Sequence, residues 1–173
     1  RLSWSRMLFD FGANWAAFSR AALSPERAAR ARDDFALLMD GIPLRGRSFL
    51  DIGFGQGLSL LAAAESGAHA AGLDVSARCA AVTEKNRRRF FPSVPAGAAA
   101  TETGSILDPS AVLRLRARVP EGFDVVHAWG SLHHTGDMAG AVAAARALVA
   151  PGGWLVLAIY NRHATSPAWR GIK

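Results

Sequence analysis

The residues with the clearest chemical potential lie in one short run, Asp51-Ile52-Gly53-Phe54-Gly55-Gln56-Gly57. The glycines stand where an apolar stretch, Ser48 to Ile52, gives way to a helix-like one, Leu58 to Ser66. At such a turn glycine lets the backbone approach a ligand closely, and the next helix opens with N–H groups that have no intrahelical partner. The pattern is G-x-G-x-G. Leu58 takes the place of the third glycine in the dinucleotide fingerprint G-x-G-x-x-G, which seats a pyrophosphate. Asp51, two residues before Gly53, would also oppose a pyrophosphate and instead favours a ligand with an ammonium group. A second acid, Asp74, follows Gly57 by 17 residues, near the end of another apolar run. A carboxylate there can accept both hydroxyls of a ribose; it can also cap the helix that starts at Ser76. Loop and acid together point to an adenosine-containing ligand.

Two adjacent histidines, His133 and His134, fall just past a later apolar run, where open α/β sheets bind ligands at the carboxyl ends of their strands. Imidazole titrates near neutrality, so either ring is a candidate base; the alternative is that both shape the loop. Adjacent side chains point apart and no third ligand is evident, so no metal site is expected. Cys79 is the single cysteine, which excludes an internal disulfide framework, and it reads as a helix core residue.

These residues need a scaffold, and the punctuation of the chain supplies one. Ser24-Pro25-Glu26 is a helix start: capping serine, proline at the first helical position, acid in the first turn. That helix should run to about Met39, with Phe35, Leu38 and Met39 inward. Strands are expected at 48–52, 69–75, 98–103, 123–128 and 154–160, and helices at 58–66, 76–91, 109–119 and 137–149, with a sharp turn at Pro151-Gly152-Gly153. Strands alternating with helices of about 10–15 residues imply right-handed βαβ units and a parallel sheet covered on both faces. Residues 1–40 form an aromatic and helical lead-in, and 41–173 the α/β domain.

Composition agrees with a globular chain of 173 residues: 50% hydrophobic and 20% charged. The net charge of +6 comes almost wholly from arginines scattered through helix-like segments. The densest cluster, Arg87-Arg88-Arg89 before Phe90 and Phe91, suits a solvated helix end better than a nucleic-acid surface. No stretch approaches the roughly 20 apolar residues of a membrane span, and Arg1 to Phe9 lacks a signal-peptide core. A cytoplasmic setting is therefore expected.

Five segments in order carry a resemblance. They are Leu50 to Gly57; Gly72-Leu73-Asp74-Val75-Ser76; Gly104-Ser105-Ile106-Leu107-Asp108; Phe123 to His134; and Leu148 to Leu155. Together they resemble the class I S-adenosylmethionine (SAM)-dependent methyltransferases, in the ubiquinone/menaquinone-methylase-like group, over nearly the whole chain. The resemblance implies a Rossmann-like, doubly wound, mostly parallel sheet. It implies Gly53, Phe54, Gly55 and Gly57 against the cofactor, Asp51 near the methionine amine, and Asp74 with Val75 at the ribose. Ser105 and Ile106 would lie along the adenine, and Trp129 and His133 would line the pocket floor. His133 and His134 are the candidate catalytic residues. Phe11-Gly12-Ala13-Asn14-Trp15 would form a lid, with Asn14 bonding the cofactor carboxylate or the substrate; the alternative is a segment packed on the sheet. Two departures stand out. The family's sheet usually has seven strands, but little chain follows residue 160, so the C-terminal strands are expected to be missing and a second copy of the chain could cover strand five. Ser105 stands where many members place an acid.

Methyl transfer to a small molecule is the leading expectation. An RNA or protein acceptor, or a non-catalytic SAM-binding module, are the alternatives. An NAD-dependent oxidoreductase is disfavoured by the glycine spacing.

Overall fold

In the computed structural model the described residues are Trp15, Ala17 and 19–160. Asn14, and with it Phe11 to Ala13 of the expected lid, lies outside them. The elements run α1 (Pro25–Leu38), β1 (Ser48–Ile52), α2 (Leu58–Glu65), β2 (His69–Asp74), α3 (Arg78–Phe90), β3 (Ala99–Thr103), α4 (Pro109–Arg118), β4 (Phe123–Trp129), a 3-10 turn (Leu132–His134), α5 (Met138–Ala147) and β5 (Val149–Ala158). The sheet order is β3-β2-β1-β4-β5, and every pairing is parallel. The chain steps outward through β2 and β3 on one side of β1, then returns to β4 on the other. The carboxyl ends of β1 and β4 therefore flank the point where the winding reverses, and open sheets hold ligands in the crevice there.

Local chemistry explains the boundaries. Ser24 caps α1 by accepting from Arg27 N, with Pro25 in the first turn. Asp108 caps α4 by accepting from Ser110 N, and Asp137 caps α5 through Gly140 N. Most boundaries move by one or two residues from the sequence expectation, and three of the shifts have a clear local cause. α3 starts at Arg78 rather than Ser76, because the Ser76 N–H is bound to Asp74 Oδ1 at 2.9 Å and the chain turns before the helix begins. α5 closes at Ala147, and Val149 already pairs with Phe123. β5 thus begins at Val149 rather than Trp154. Pro151 to Gly153 lie inside it as an irregularity, across which the register passes from Phe123↔Val149 to Val125↔Trp154. Gly153 permits this, since a Cβ there would sit 2.8 Å from Asp124 O.

Strand alternation sends Phe49, Asp51, Val125 and His127 to one face and Leu50, Ile52 and Val126 to the other. On the first face Phe35, Phe49, Leu60, Leu61, Cys79, Phe90 and Phe91 form one buried cluster beneath α1, α2 and α3. On the second, Leu50, Leu73, Leu115, Val126 and Leu148 form another beneath α4 and α5. Each fully buried Phe or Leu contributes about 1.5–3 kcal/mol. Ala141 and Ala145 of α5 are wholly buried, so their small side chains bring that helix close to the sheet. Arg32 ties the helices of the first face together: it pairs with Glu65, donates to Phe90 O and lies 4.0 Å over the Phe91 ring. Arg87 and Arg88 both pair with Glu84, and Arg87 also donates to Val94 O, so this cluster is partly spent on structure.

The β1–β4 register is clamped at its lower end. Asp124 accepts from Ser48 N and Ser48 Oγ, each at 2.8 Å, and from Arg47 Nη1 at 3.0 Å. The Ser48 amide above all holds the Asp124 carboxyl below the usual carboxylate range. A depressed folded value means that the stabilisation is complete above the ordinary carboxylate range and is lost as pH falls through the depressed one. Asp124→Ala should therefore cost about 1–2 kcal/mol in urea unfolding at pH 7, allowing for a side chain one-third exposed. The difference from wild type should shrink toward zero in acid; a difference that persists there would assign the effect to packing instead.

Candidate functional site

The loop after β1 is held from three sides. Gly53 N donates to Leu73 O at 2.7 Å, which draws the loop toward β2. On the β4 side, Ser131 Oγ donates to Ile52 O at 2.7 Å, and a Cβ on Gly53 would sit 2.4 Å from the Ser131 Cβ. On the third side the Trp15 indole covers Gly55. A Cβ there would lie 2.8 Å from Trp15 Nε1, and the residue has φ +54°, so only glycine fits. The N-terminal segment is also tethered to the loop: Ser19 Oγ donates to Asn86 Oδ1 at 2.6 Å, and Asn86 Nδ2 donates to Gln56 O at 2.9 Å. Ser19 and Asn86 are both buried.

Asp74 sits at the end of β2 with its carboxylate between two backbone donors, Gly55 N at 3.0 Å and Ser76 N at 2.9 Å. One carboxylate thus fixes the glycine loop and the turn before α3. It is 7% exposed, and each oxygen keeps lone-pair capacity for a further donor.

Asp51 and His127 are partners in the β1–β4 register and lie side by side on the first face. Asp51 Oδ1 is 2.8 Å from His127 Nδ1, with both side chains almost completely buried. Facing a carboxylate, Nδ1 carries the proton and donates. The other ring nitrogen, Nε2, is buried without a hydrogen-bond partner among the described residues. The imidazole lies between Phe49, at 5.8 Å, and Trp129, whose ring plane is nearly parallel to it with centroids 6.1 Å apart.

A cavity of about 670 Å³, within the usual size range of small-molecule sites, lies beside the loop and the Asp51–His127 pair; Asp74 and Gly57 do not border it. Asp51, Gly53, Phe54, Gly55, Gln56, His127 and Trp129 border it, together with Trp15, Phe35 and Leu38. The structure therefore gathers Asp51, Gly53, Phe54, Gly55 and Trp129 about one space. Phe54 does so mainly as core, 7% exposed with its ring against Gly72. Val75 stands past the end of β2, 66% exposed. Ser105 Oγ accepts from Leu107 N at 3.1 Å, so its hydroxyl shapes its own turn. The Ile106 side chain points into the second core cluster, and neither Ser105 nor Ile106 borders the cavity. His133 and His134 do not border the cavity. They form a cluster with Tyr160, His133 lying 4.1 Å from His134 and 4.3 Å from Tyr160 between ring centroids.

Sequence reasoning missed His127, Ser131, Asn86 and Tyr160. Only His127 left a signal, as a polar residue in a strand whose other buried residues are apolar. Among the described residues, no group of three or more His, Cys, Asp or Glu side chains could hold a metal ion.

The fold and this crevice define a doubly wound α/β domain with a nucleotide-type cleft at its switch point. A family model described as a methyltransferase domain matches residues 21–171, and the chain belongs to that family. It is 33% identical, over 71% of its length, to a ubiquinone biosynthesis O-methyltransferase of Paraburkholderia xenovorans, and it covers 48% of that protein. The chain thus spans about half the length of the curated relatives it matches. Among solved structures it resembles a magnesium protoporphyrin IX methyltransferase from Synechocystis PCC 6803 with bound SAH (S-adenosylhomocysteine). The TM-score is 0.65 at 15% identity, over 94% of this chain and 73% of that one. It also resembles an O-methyltransferase family protein from Burkholderia thailandensis, with a TM-score of 0.63 at 19% identity, over 91% of this chain and 45% of that one.

Proposed function

We propose that this chain is the cofactor-binding part of a SAM-dependent methyltransferase that acts on an oxygen atom of a small molecule. One observation carries the reading: two buried carboxylates, Asp51 and Asp74, flank a glycine loop, and that loop and Asp51 border a cavity large enough for a nucleoside-sized ligand. Family membership and relatives named as O-methyltransferases support it.

The residues fit the cofactor. Asp51 offers an anion to its ammonium group, the loop from Gly53 to Gly57 offers close backbone approach, and Asp74 offers acceptors to its ribose hydroxyls. In this reading the backbone at Ser105 and Ile106 would lie along the adenine, beyond the border of the cavity. SAM, when bound, supplies a methyl group already activated by its sulfonium, which leaves the protein alignment and exclusion of water as its tasks. Trp15 over Gly55 excludes water from the loop side, and Trp129, 54% exposed, presents an apolar face to whatever enters. His133 and His134, beside Tyr160, are the candidate proton acceptors for an acceptor hydroxyl. The setting is cytoplasmic in this reading, supported by the single buried cysteine. No helix among the described residues is long and apolar enough to cross a membrane.

Calorimetric titration with SAM, SAH and NAD is the test. Micromolar binding of the first two, with NAD weaker by at least tenfold, is expected. No binding of SAM or SAH, or tighter binding of NAD, would overturn the reading.

A further inference from the structure

The pair Asp51–His127 holds two features that the reading above does not use. The carboxylate that borders the cavity is already hydrogen-bonded to an imidazole at 2.8 Å, and that imidazole has its second nitrogen buried and without a partner among the described residues. We propose that His127 is a positioning residue: it orients the Asp51 carboxylate toward the ammonium group of the cofactor and, through its own charge, makes cofactor binding depend on pH. This rests on SAM binding as argued above.

With His127 neutral, Nδ1–H donates to Asp51 and steers the carboxylate while leaving its full negative charge for a cationic group in the cavity. The orphaned Nε2 is then an unpaired acceptor. When His127 takes up a proton on Nε2, Asp51 becomes half of a buried ion pair with no net charge, and a ligand ammonium meets an imidazolium next to its anion. The new Nε2–H also has no acceptor, a costly arrangement in a buried site. Few other charges face this pair. Asp34 of α1 borders the same cavity but is 71% exposed on its side chain and is paired with Arg30. Phe35 of α1 meets the ring edge-on, Phe49 and Trp129 flank it, and its β5 register partner is Val156. Asp51 therefore dominates the electrostatics of the imidazole, and His127 those of Asp51.

The probe is SAH, titrated calorimetrically at a series of pH values from about 8 to about 5. Wild-type affinity should fall about tenfold toward pH 5, as expected when one short-range charge interaction of about 1.4 kcal/mol is lost. His127→Asn can place an amide N–H where Nδ1–H stands, yet it cannot ionise. It should bind SAH within about threefold of the wild-type value at pH 8 and show a flat profile. His127→Leu, with no donor for Asp51, should bind weakly at every pH. Thermal unfolding of each variant at both pH limits separates lost binding from lost folding. A wild-type profile that is flat while binding persists, or an Asn variant that keeps the wild-type slope, overturns this proposal alone. Absence of SAH binding to the wild type at every pH removes the SAM reading and this proposal with it.

Discussion

Gly57→Ala should destabilise the protein by about 2–4 kcal/mol and abolish detectable SAH binding. Gly57 is the N-cap of α2 and has φ +79°. An L-residue in the left-handed region costs roughly 1–2 kcal/mol. The added Cβ would lie 2.3 Å from Thr83 Oγ1 and 2.5 Å from Thr83 Cγ2, and forcing extra carbon into a packed site costs about 1–3 kcal/mol more. Thr83 is buried on α3, so the clash pushes α2 and α3 apart at the helix end that opens beneath the loop. Equilibrium urea unfolding measures the first quantity, and calorimetry the second. Thr83→Ala in the Gly57→Ala background removes the two closest atoms and should restore part of the loss, leaving the backbone contribution and the residual contact with the residue-83 Cβ at 2.8 Å. A fully stable Gly57→Ala variant would mean that the loop adopts another conformation.

Asp74→Ala should weaken SAH binding by about 1–3 kcal/mol, the cost of leaving buried polar partners unpaired, and should lower stability by a similar amount. Both effects have one origin. The carboxylate joins Gly55 N and Ser76 N, and its removal strands both amides in a place 7% exposed. Asp74→Asn keeps one carbonyl oxygen and loses the charge, so it should recover part of the stability and little of the affinity if ribose hydroxyls are the ligand groups. Binding by the alanine variant that matches wild type would remove Asp74 from the cofactor site and leave it as a cap for the loop.

Much of this was legible in one dimension because the determinants are local. β1 was placed residue for residue by its apolar run, and α1 by Ser24 and Pro25, since propensity and capping act within a few residues of chain. The glycine loop was legible for the same reason: positive φ and close approach are properties of single residues. Where local signals conflicted, boundaries moved. Pro151-Gly152-Gly153 reads as a turn that ends one element, yet pairing with β4 resumes on both sides of it, and β5 absorbs it as an irregularity.

The site divides along the same line. The sequence alone determined which residue types were available and in what order: Asp51 before the loop, Asp74 after β2, a histidine pair after β4. Only the tertiary structure decided which of them meet. Asp51 and His127 are separated by 76 positions and touch because β1 and β4 pair in one register, itself clamped by Asp124. Trp15 reaches Gly55, and Ser19 reaches Asn86 across 67 positions, because α1 folds back over the first face. Conversely, Ile106 turned into the core, and His133 packs beside Tyr160, outside the border of the cavity. Side-chain period along a strand is set by the backbone itself, but partner and register are set by long-range packing, which no stretch of neighbouring residues encodes.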